Sequence, residues 1–304
     1  MGTHVAHEAI RLEELTKVFG KTKAVDALSL NVAPGEVLGF LGPNGAGKTT
    51  TMRMLTGLIK PTSGMAMLAG FDVSKRSAKM LAKVGYLPGS LSLYQNLTGN
   101  EFLHFLAKMR KVDCKEQIHS LAEKLQVDLH KHIHDLSKGN RQKVGVISAF
   151  MHQPEVLILD EPTSGLDPLV QREFVGILAE AKARGAATLL SSHVLSEVEH
   201  LSSRVAIINH GKLVLLEEIS SLKMRARHRV EFTFESPVDV AQFESLPGSN
   251  VLFSSANSVL CEVTGDMSQV LQLAAKLGAN GVRTEEPNLD DIFLDLIRNQ
   301  AGEK

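Results

Sequence analysis

The chain of 304 residues has no apolar run near the roughly 18 residues that a membrane-crossing helix requires. Cysteine is scarce: Cys114 and Cys261 stand far apart, without metal-ligand spacing. A reduced, cytoplasmic setting is expected, with a disulfide as the minor alternative. Net charge is almost absent, since 33 Lys and Arg against 34 Asp and Glu leave −1. That balance argues against a general nucleic-acid binder while leaving room for a local basic patch. The opening MGTHVAHEAIRLEEL carries charge early and lacks an apolar core, so no signal peptide is expected. Internal repeats and low-complexity tracts are missing too. What remains is ordinary: 43% apolar and 22% charged residues exclude disordered and fibrous classes. At about 150 residues per domain, two domains are expected.

The first two-thirds alternates short aliphatic runs with helical patterns, which reads as a parallel sheet covered by helices. The expected strands are Glu36–Leu41, Val84–Leu87, Glu155–Asp160, Ala187–Ser191 and Arg204–Asn209. VLILD is apolar on both faces, as a buried parallel strand should be. Between Pro88 and Phe150 the pattern becomes helix after helix, over Glu101–Arg110, Lys115–Gln126 and Ser137–Met151. Such a stretch reads as an inserted helical subdomain. Met52, Met54, Met65 and Met67 are expected to fill core gaps.

The texture changes near Ser221. KMRARHR reads as a solvated linker, or as a contact with acidic lipid or protein. Alternating Val230, Phe232 and Phe234 then open a β-α-β-β-α-β order, compatible with a small split βαβ domain. A last helix is expected from about Leu289, with Leu289, Ile292, Phe293, Leu296 and Ile297 on one stripe.

The chemistry concentrates in a few motifs. Gly42, Pro43, Asn44, Gly45, Ala46, Gly47, Lys48, Thr49 and Thr50 read GPNGAGKTT, between a strand and a helical pattern. Glycines at 42, 45 and 47 allow a tight loop whose amides converge on phosphate oxygens at a helix N-terminus. Lys48 can reach the β- and γ-phosphates. Thr49 offers a hydroxyl to Mg2+, and Thr50 could contact the α-phosphate side. Downstream, VLILDEP ends in Asp160, which can hold the Mg2+ shell, and Glu161, which can polarise a water for in-line attack. His193 follows the strand ATLLSS, where an imidazole could contact the γ-phosphate and that water. Together these specify a hydrolase or phosphotransferase of Mg-ATP or Mg-GTP. His130, His132 and His134 alternate in LHKHIHDL; a metal site is one reading and a solvated connector the other.

In order and spacing these motifs resemble the ATP-binding cassette (ABC) family, the nucleotide-hydrolysing subunits of ABC transporters, over about residues 8–220. LTKVFG places Phe19 where the family has an aromatic that stacks on adenine. LSKGNRQK resembles the family signature, so Ser137, Lys138 and Gly139 are expected to bind ATP. ILDEPTSGLDP carries the two acids and the D-loop, which ends at Asp167. SSHVLSEVE carries the switch histidine, His193. The resemblance implies that the signature closes on ATP held by another subunit's phosphate loop. A second copy or a paralogous ATPase subunit is therefore expected, with a separate integral-membrane permease as a further partner and no nucleic acid. It also implies a location at the inner face of the cell membrane. The fold expected is a P-loop NTPase α/β cassette over residues 1–220 with a helical subdomain at about 88–150, plus an α+β accessory domain over 221–304.

Two motifs depart from the family pattern. Lys138 and Asn140 make the signature LSKGN where LSGGQ is common. Gly89, in VGYLPGSLSLY, stands where a glutamine usually contacts Mg2+ and couples to the membrane subunit; water would have to complete that coordination. YLPGSLSLYQNLTGNEFL and the extension ending PNLDDIFL look like the ATPases of bacterial drug, antibiotic or polysaccharide exporters. The alternative is a soluble ABC-type ATPase acting on ribosomes, nucleic acid or an assembly machine, and a P-loop small-molecule kinase is a third. Docking to a permease is expected at the helical region and Gly85–Thr98.

Overall fold

The computed structural model describes residues 8–285 apart from 76, 226 and 265. The chain divides into two compact units, Met1–Leu216 and Glu217–Lys304.

The first unit opens with β1 (Ile10–Phe19), β2 (Thr22–Val32), β3 (Val37–Leu41), α1 (Lys48–Leu55), β4 (Ser63–Leu68) and β5 (Phe71–Asp72). It continues through α2 (Ala78–Ala82), β6 (Val84–Leu87), α3 (Gly99–Arg110), α4 (Lys115–Lys124) and α5 (Lys138–Phe150). It ends with β7 (Val156–Asp160), α6 (Pro168–Ala183), β8 (Ala187–Ser192), α7 (Leu195–Leu201), β9 (Arg204–Asn209) and β10 (Lys212–Glu218).

Six strands form the central sheet in the order β10-β9-β3-β8-β7-β6. Pairs β6–β7, β7–β8, β8–β3 and β3–β9 run parallel. VLGFL and VLILD are buried along their whole length, because parallel strands are covered on both faces. Neighbouring parallel strands end at one edge. The loops after β3, β8, β7 and β6 therefore meet there, where ligands of open α/β sheets bind.

The helical region inserts between β6 and β7. α3 begins at a capping box: Glu101 N–H donates to Thr98 Oγ1 (3.1 Å), and Thr98 N–H donates to Glu101 Oε2 (2.8 Å). α5 lies close on β6 through two glycines. A Cβ at Gly145 would stand 2.8 Å from Leu91 and 2.9 Å from Leu87, and one at Gly85 would strike the Ala149 carbonyl.

A second sheet, β2-β1-β4-β5, is antiparallel and was not among the expected strands. Its alternation is broken by register shifts between Leu12 and Leu15 and by left-handed residues Glu14 (φ 46°) and Ala27 (φ 48°). Met52 and Met54 are buried, as expected, but Met65 is exposed. Ala66 and Leu68 take the inner face of β4, so the period of two turns Met65 outward.

The second unit contains α8 (Ile219–Arg225), β11 (Arg227–Phe234), α9 (Ala241–Glu244), β12 (Ser249–Ser255), β13 (Ser258–Thr264), α10 (Ser268–Lys276) and β14 (Ala279–Glu285). The expected β-α-β-β-α-β order closes as an antiparallel sheet β12-β13-β11-β14. Val230, Phe232 and Phe234 point to one face and form its core with Phe243, Val259, Cys261, Val263, Val270 and Ala274. Of KMRARHR, Lys223–Arg225 lie in α8 and Arg227–Arg229 in β11. The helix expected from Leu289 lies outside the described residues. Both cysteines are buried and free, so the disulfide alternative is not realised. No helix among the described residues is long and apolar enough to cross a membrane.

Candidate functional site

The loop Gly42–Gly47 leaves the buried end of β3 and feeds directly into α1, whose first turn holds no acidic residue. Only glycine fits at position 47: its φ is 108°, and a Cβ there would lie 2.5 Å from the Ala24 carbonyl oxygen. The loop amides and the α1 N-terminus thus form an anion-binding cradle. Lys48 is buried and folds back along this loop, donating from Nζ to the carbonyls of Gly42 (2.5 Å) and Pro43 (3.2 Å). Burial lowers its pKa, opposed by the attraction of Glu161 and Asp160. A buried ammonium held close to two acids is suited to meeting a polyanion.

Asp160 ends β7, and its carboxylate is gripped on both oxygens. Thr49 Oγ1 donates to Oδ2 (2.8 Å) and Ser191 Oγ donates to Oδ1 (2.5 Å). Asp160 and Ser191 are register partners of β7 and β8, so the sheet itself places that hydroxyl. Glu161, the next residue, adopts a left-handed φ of 50°, an uncommon conformation for glutamate. Its N–H is held by the Ser191 carbonyl (3.2 Å) and Ser191 Oγ (3.1 Å). The turn aims its carboxylate away from that of Asp160, towards His193, whose Nδ1 lies 3.1 Å from Oε1. The structure therefore gathers Lys48, Thr49, Asp160, Glu161 and His193 at one edge of the sheet.

Comparison with known proteins bears on the whole constellation. The profile of the ABC transporter family matches residues 25–164. A second, described as an AAA domain, putative AbiEii toxin, matches 130–199. The chain is 44% identical over 228 residues to the bacitracin transport ATP-binding protein BcrA of Bacillus licheniformis, covering 73% of this chain and 74% of that one. It is 35% identical over 298 residues to the ABC transporter ATP-binding protein YhaQ of Bacillus subtilis, covering 95% and 98%. A solved ATP-binding subunit of an ABC transporter superposes with a TM-score of 0.68 at 27% identity, over 71% of this chain and 92% of that one. The chain belongs to the ABC transporter ATP-binding subunits.

As an ABC subunit it is an ATPase, and the remaining candidate residues lie at the end of β1 and at the starts of α5 and α6. Phe19 ends β1 half exposed, with Lys17 Nζ 4.9 Å from its ring centre. Ser137 caps α5, accepting from Asn140 N–H (3.2 Å). Gly139 is pressed on the D-loop, since a Cβ there would lie 2.7 Å from the Gly165 carbonyl oxygen. Asp167 caps α6, accepting from Leu169 (3.1 Å) and Val170 (3.0 Å) amides. Among the described residues no hydrogen bond or ion pair joins Ser137–Gly139 to Gly42–Lys48. Gly89 stands beside the acid: a Cβ there would lie 3.1 Å from Asp160 Oδ2.

His130, His132 and His134 are all exposed. His132 and His134 stack with ring centres 5.4 Å apart, and their Nδ1 atoms lie 3.2 Å and 3.0 Å from the carbonyls of Asn96 and Gln95. Among the described residues no group of three or more His, Cys, Asp or Glu is placed to hold a metal ion. Two residues of the site escaped the sequence reading, Ser191 and Gln142. Serine and glutamine are common, and only strand pairing and helix packing bring these two to the acids.

Proposed function

We propose that this subunit powers an exporter of the drug or antibiotic type, by closing head to tail on a second ATPase subunit and docking on a separate integral-membrane permease. The observation that carries this reading is its 44% identity to a bacitracin transport ATP-binding protein; 36% identity to a probable multidrug transporter subunit of Escherichia coli supports it. The partner ATPase is a second copy or a paralogue. The match to the ABC signature supports this, because in that family the signature closes on a neighbour's nucleotide. The working location is the inner face of the cell membrane, through the permease.

ATP would sit with its β- and γ-phosphates on the amides of Gly45–Lys48, the Lys48 ammonium between them, and the adenine against Phe19. Glu161 then acts as general base. It takes a proton from the water that attacks the γ-phosphorus in line, so that the bond to the ADP oxygen breaks and phosphate leaves. His193 Nδ1 lies 3.1 Å from the Glu161 carboxylate, and its imidazole would contact the γ-phosphate when ATP is bound. Thr49 and Asp160 fit Mg2+, being two hard oxygen donors already 2.8 Å apart at the cradle mouth. When bound, Mg2+ supplies neutralisation of charge on the phosphate oxygens.

The test is Glu161→Gln, which keeps shape and removes the base. Steady-state ATP hydrolysis should be lost while ATP binding persists and a closed dimer accumulates. Undiminished turnover would remove Glu161 from its role.

A further inference from the structure

Gln142 lies in the second turn of α5 and is only 8% exposed. Its Nε2 donates to the Pro162 carbonyl (3.0 Å) and lies 3.4 Å from the Glu161 carbonyl. Both facing atoms are acceptors, so only the amide nitrogen, not the oxygen, can point at them. The strained Glu161 residue is thus gripped from two directions. Ser191 of β8 holds its N–H, and Gln142 of α5 holds the carbonyl side. A left-handed glutamate persists only where its surroundings over-determine it.

The same helix carries the signature at its N-terminus. Gly139 is pressed on the Gly165 carbonyl, and the Lys138 methylenes lie 3.8 Å from where a Gly165 Cβ would be. The Ser164 N–H in turn donates to the Glu161 carbonyl (3.2 Å). The first turns of α5 and the loop Glu161–Gly165 are therefore one packed piece. A displacement of Ser137–Gly139 therefore reaches the backbone of Glu161 both through the loop and through the buried Gln142 amide.

We propose that Gln142 is a positioning residue for hydrolysis: it carries the seating of phosphate on the signature of α5 into the placement of the Glu161 carboxylate. The inference rests on the reading of Glu161 as base and of Ser137–Gly139 as a phosphate-binding surface. Each subunit would then hydrolyse its own ATP only when its signature is filled by its partner's.

The experiment uses the full chain and three variants, each measured for kcat, KM and nucleotide-free thermal midpoint. Gln142→Met keeps the length and loses the donor; kcat should fall about tenfold, as for one lost hydrogen bond. Gln142→Glu turns a carboxylate on two carbonyls; kcat should fall on the order of 10²-fold, as for a base misplaced by about 1 Å, with KM within about twofold. Burial among carbonyls raises the new carboxyl's pKa, and its protonated form donates again. The ratio of Gln142→Glu turnover to wild type should therefore rise from about pH 8 to about pH 6. A merely structural glutamine would leave that ratio flat and lower kcat in step with the thermal midpoint; either result overturns the proposal. Glu161→Gln, measured alongside, separates the two readings. Turnover lost there but intact in both Gln142 variants overturns the role of Gln142 alone.

Discussion

In residues 1–216 the sheet edge buries polar side chains, among them Lys48, Gln142, Asp160, Ser191 and Ser192. In residues 217–304 the described residues buried as a whole are apolar or cysteine, grouped around Phe232 and Phe243. Both cores follow the same packing physics, but the first concentrates groups that cost energy to desolvate at one edge of its sheet. Stability does not account for burying the Lys48 ammonium, since burial pushes its pKa down. The cluster of buried polar groups at that edge therefore marks where a ligand is awaited, while the second unit is built mainly by packing. Removing a side chain should have opposite consequences in the two units.

The largest effect is expected from Phe232→Ala. It should cost the second unit about 3–5 kcal/mol, read as a lowered unfolding transition, while ATP turnover per folded molecule stays within about twofold. Collapse of turnover would break the division of labour. Lys48→Met is the mirror experiment: turnover should fall by about 10²–10³-fold, equivalent to about 3–4 kcal/mol. The thermal midpoint without nucleotide should not fall, because the variant removes a desolvated charge. Ser191→Ala should combine both outcomes, losing about 1–3 kcal/mol of stability with a fall in turnover, since one hydroxyl serves both Asp160 and Glu161.

A further effect concerns pH. His152 is partly buried, and burial, then the nearby Arg110 charge, lowers its pKa from 6.5 to about 4. The unfolded chain binds that proton more readily, so the first unit loses stability as pH falls from about 6.5 to about 4. Denaturant midpoints should show this slope, and His152→Leu should remove that component of it.

The chemistry of the first unit was legible because its signals are local. GPNGAGKTT encodes turn, cradle and helix start within nine residues, and VLILD is apolar at every position before its acid. Strand ends were read to within a residue at Val37–Leu41, Val84–Leu87 and Val156–Asp160. The β1–β2–β4 sheet was not legible, since its bulges at Leu12–Leu15 shift which residues face inward. Nor could Gln142 or Ser191 be read as partners of the acids. Each makes its contact across 19 to 31 residues of sequence, created only when α5 and β8 pack beside β7. The proximity of Gly89 to Asp160 is of the same kind.

The glycine joint of α5 on β6 also has a mechanical meaning. Gly145 is the fulcrum, resting on Leu87 and Leu91, and Ser137 is the tip, eight residues away. At 1.5 Å per residue the arm is about 12 Å long, so a tilt of about 5° swings the tip by roughly 1 Å. Leu91 belongs to the segment that follows β6, so that segment bears on the joint itself. A tilt of that size would move the signature by about the tolerance of a catalytic geometry.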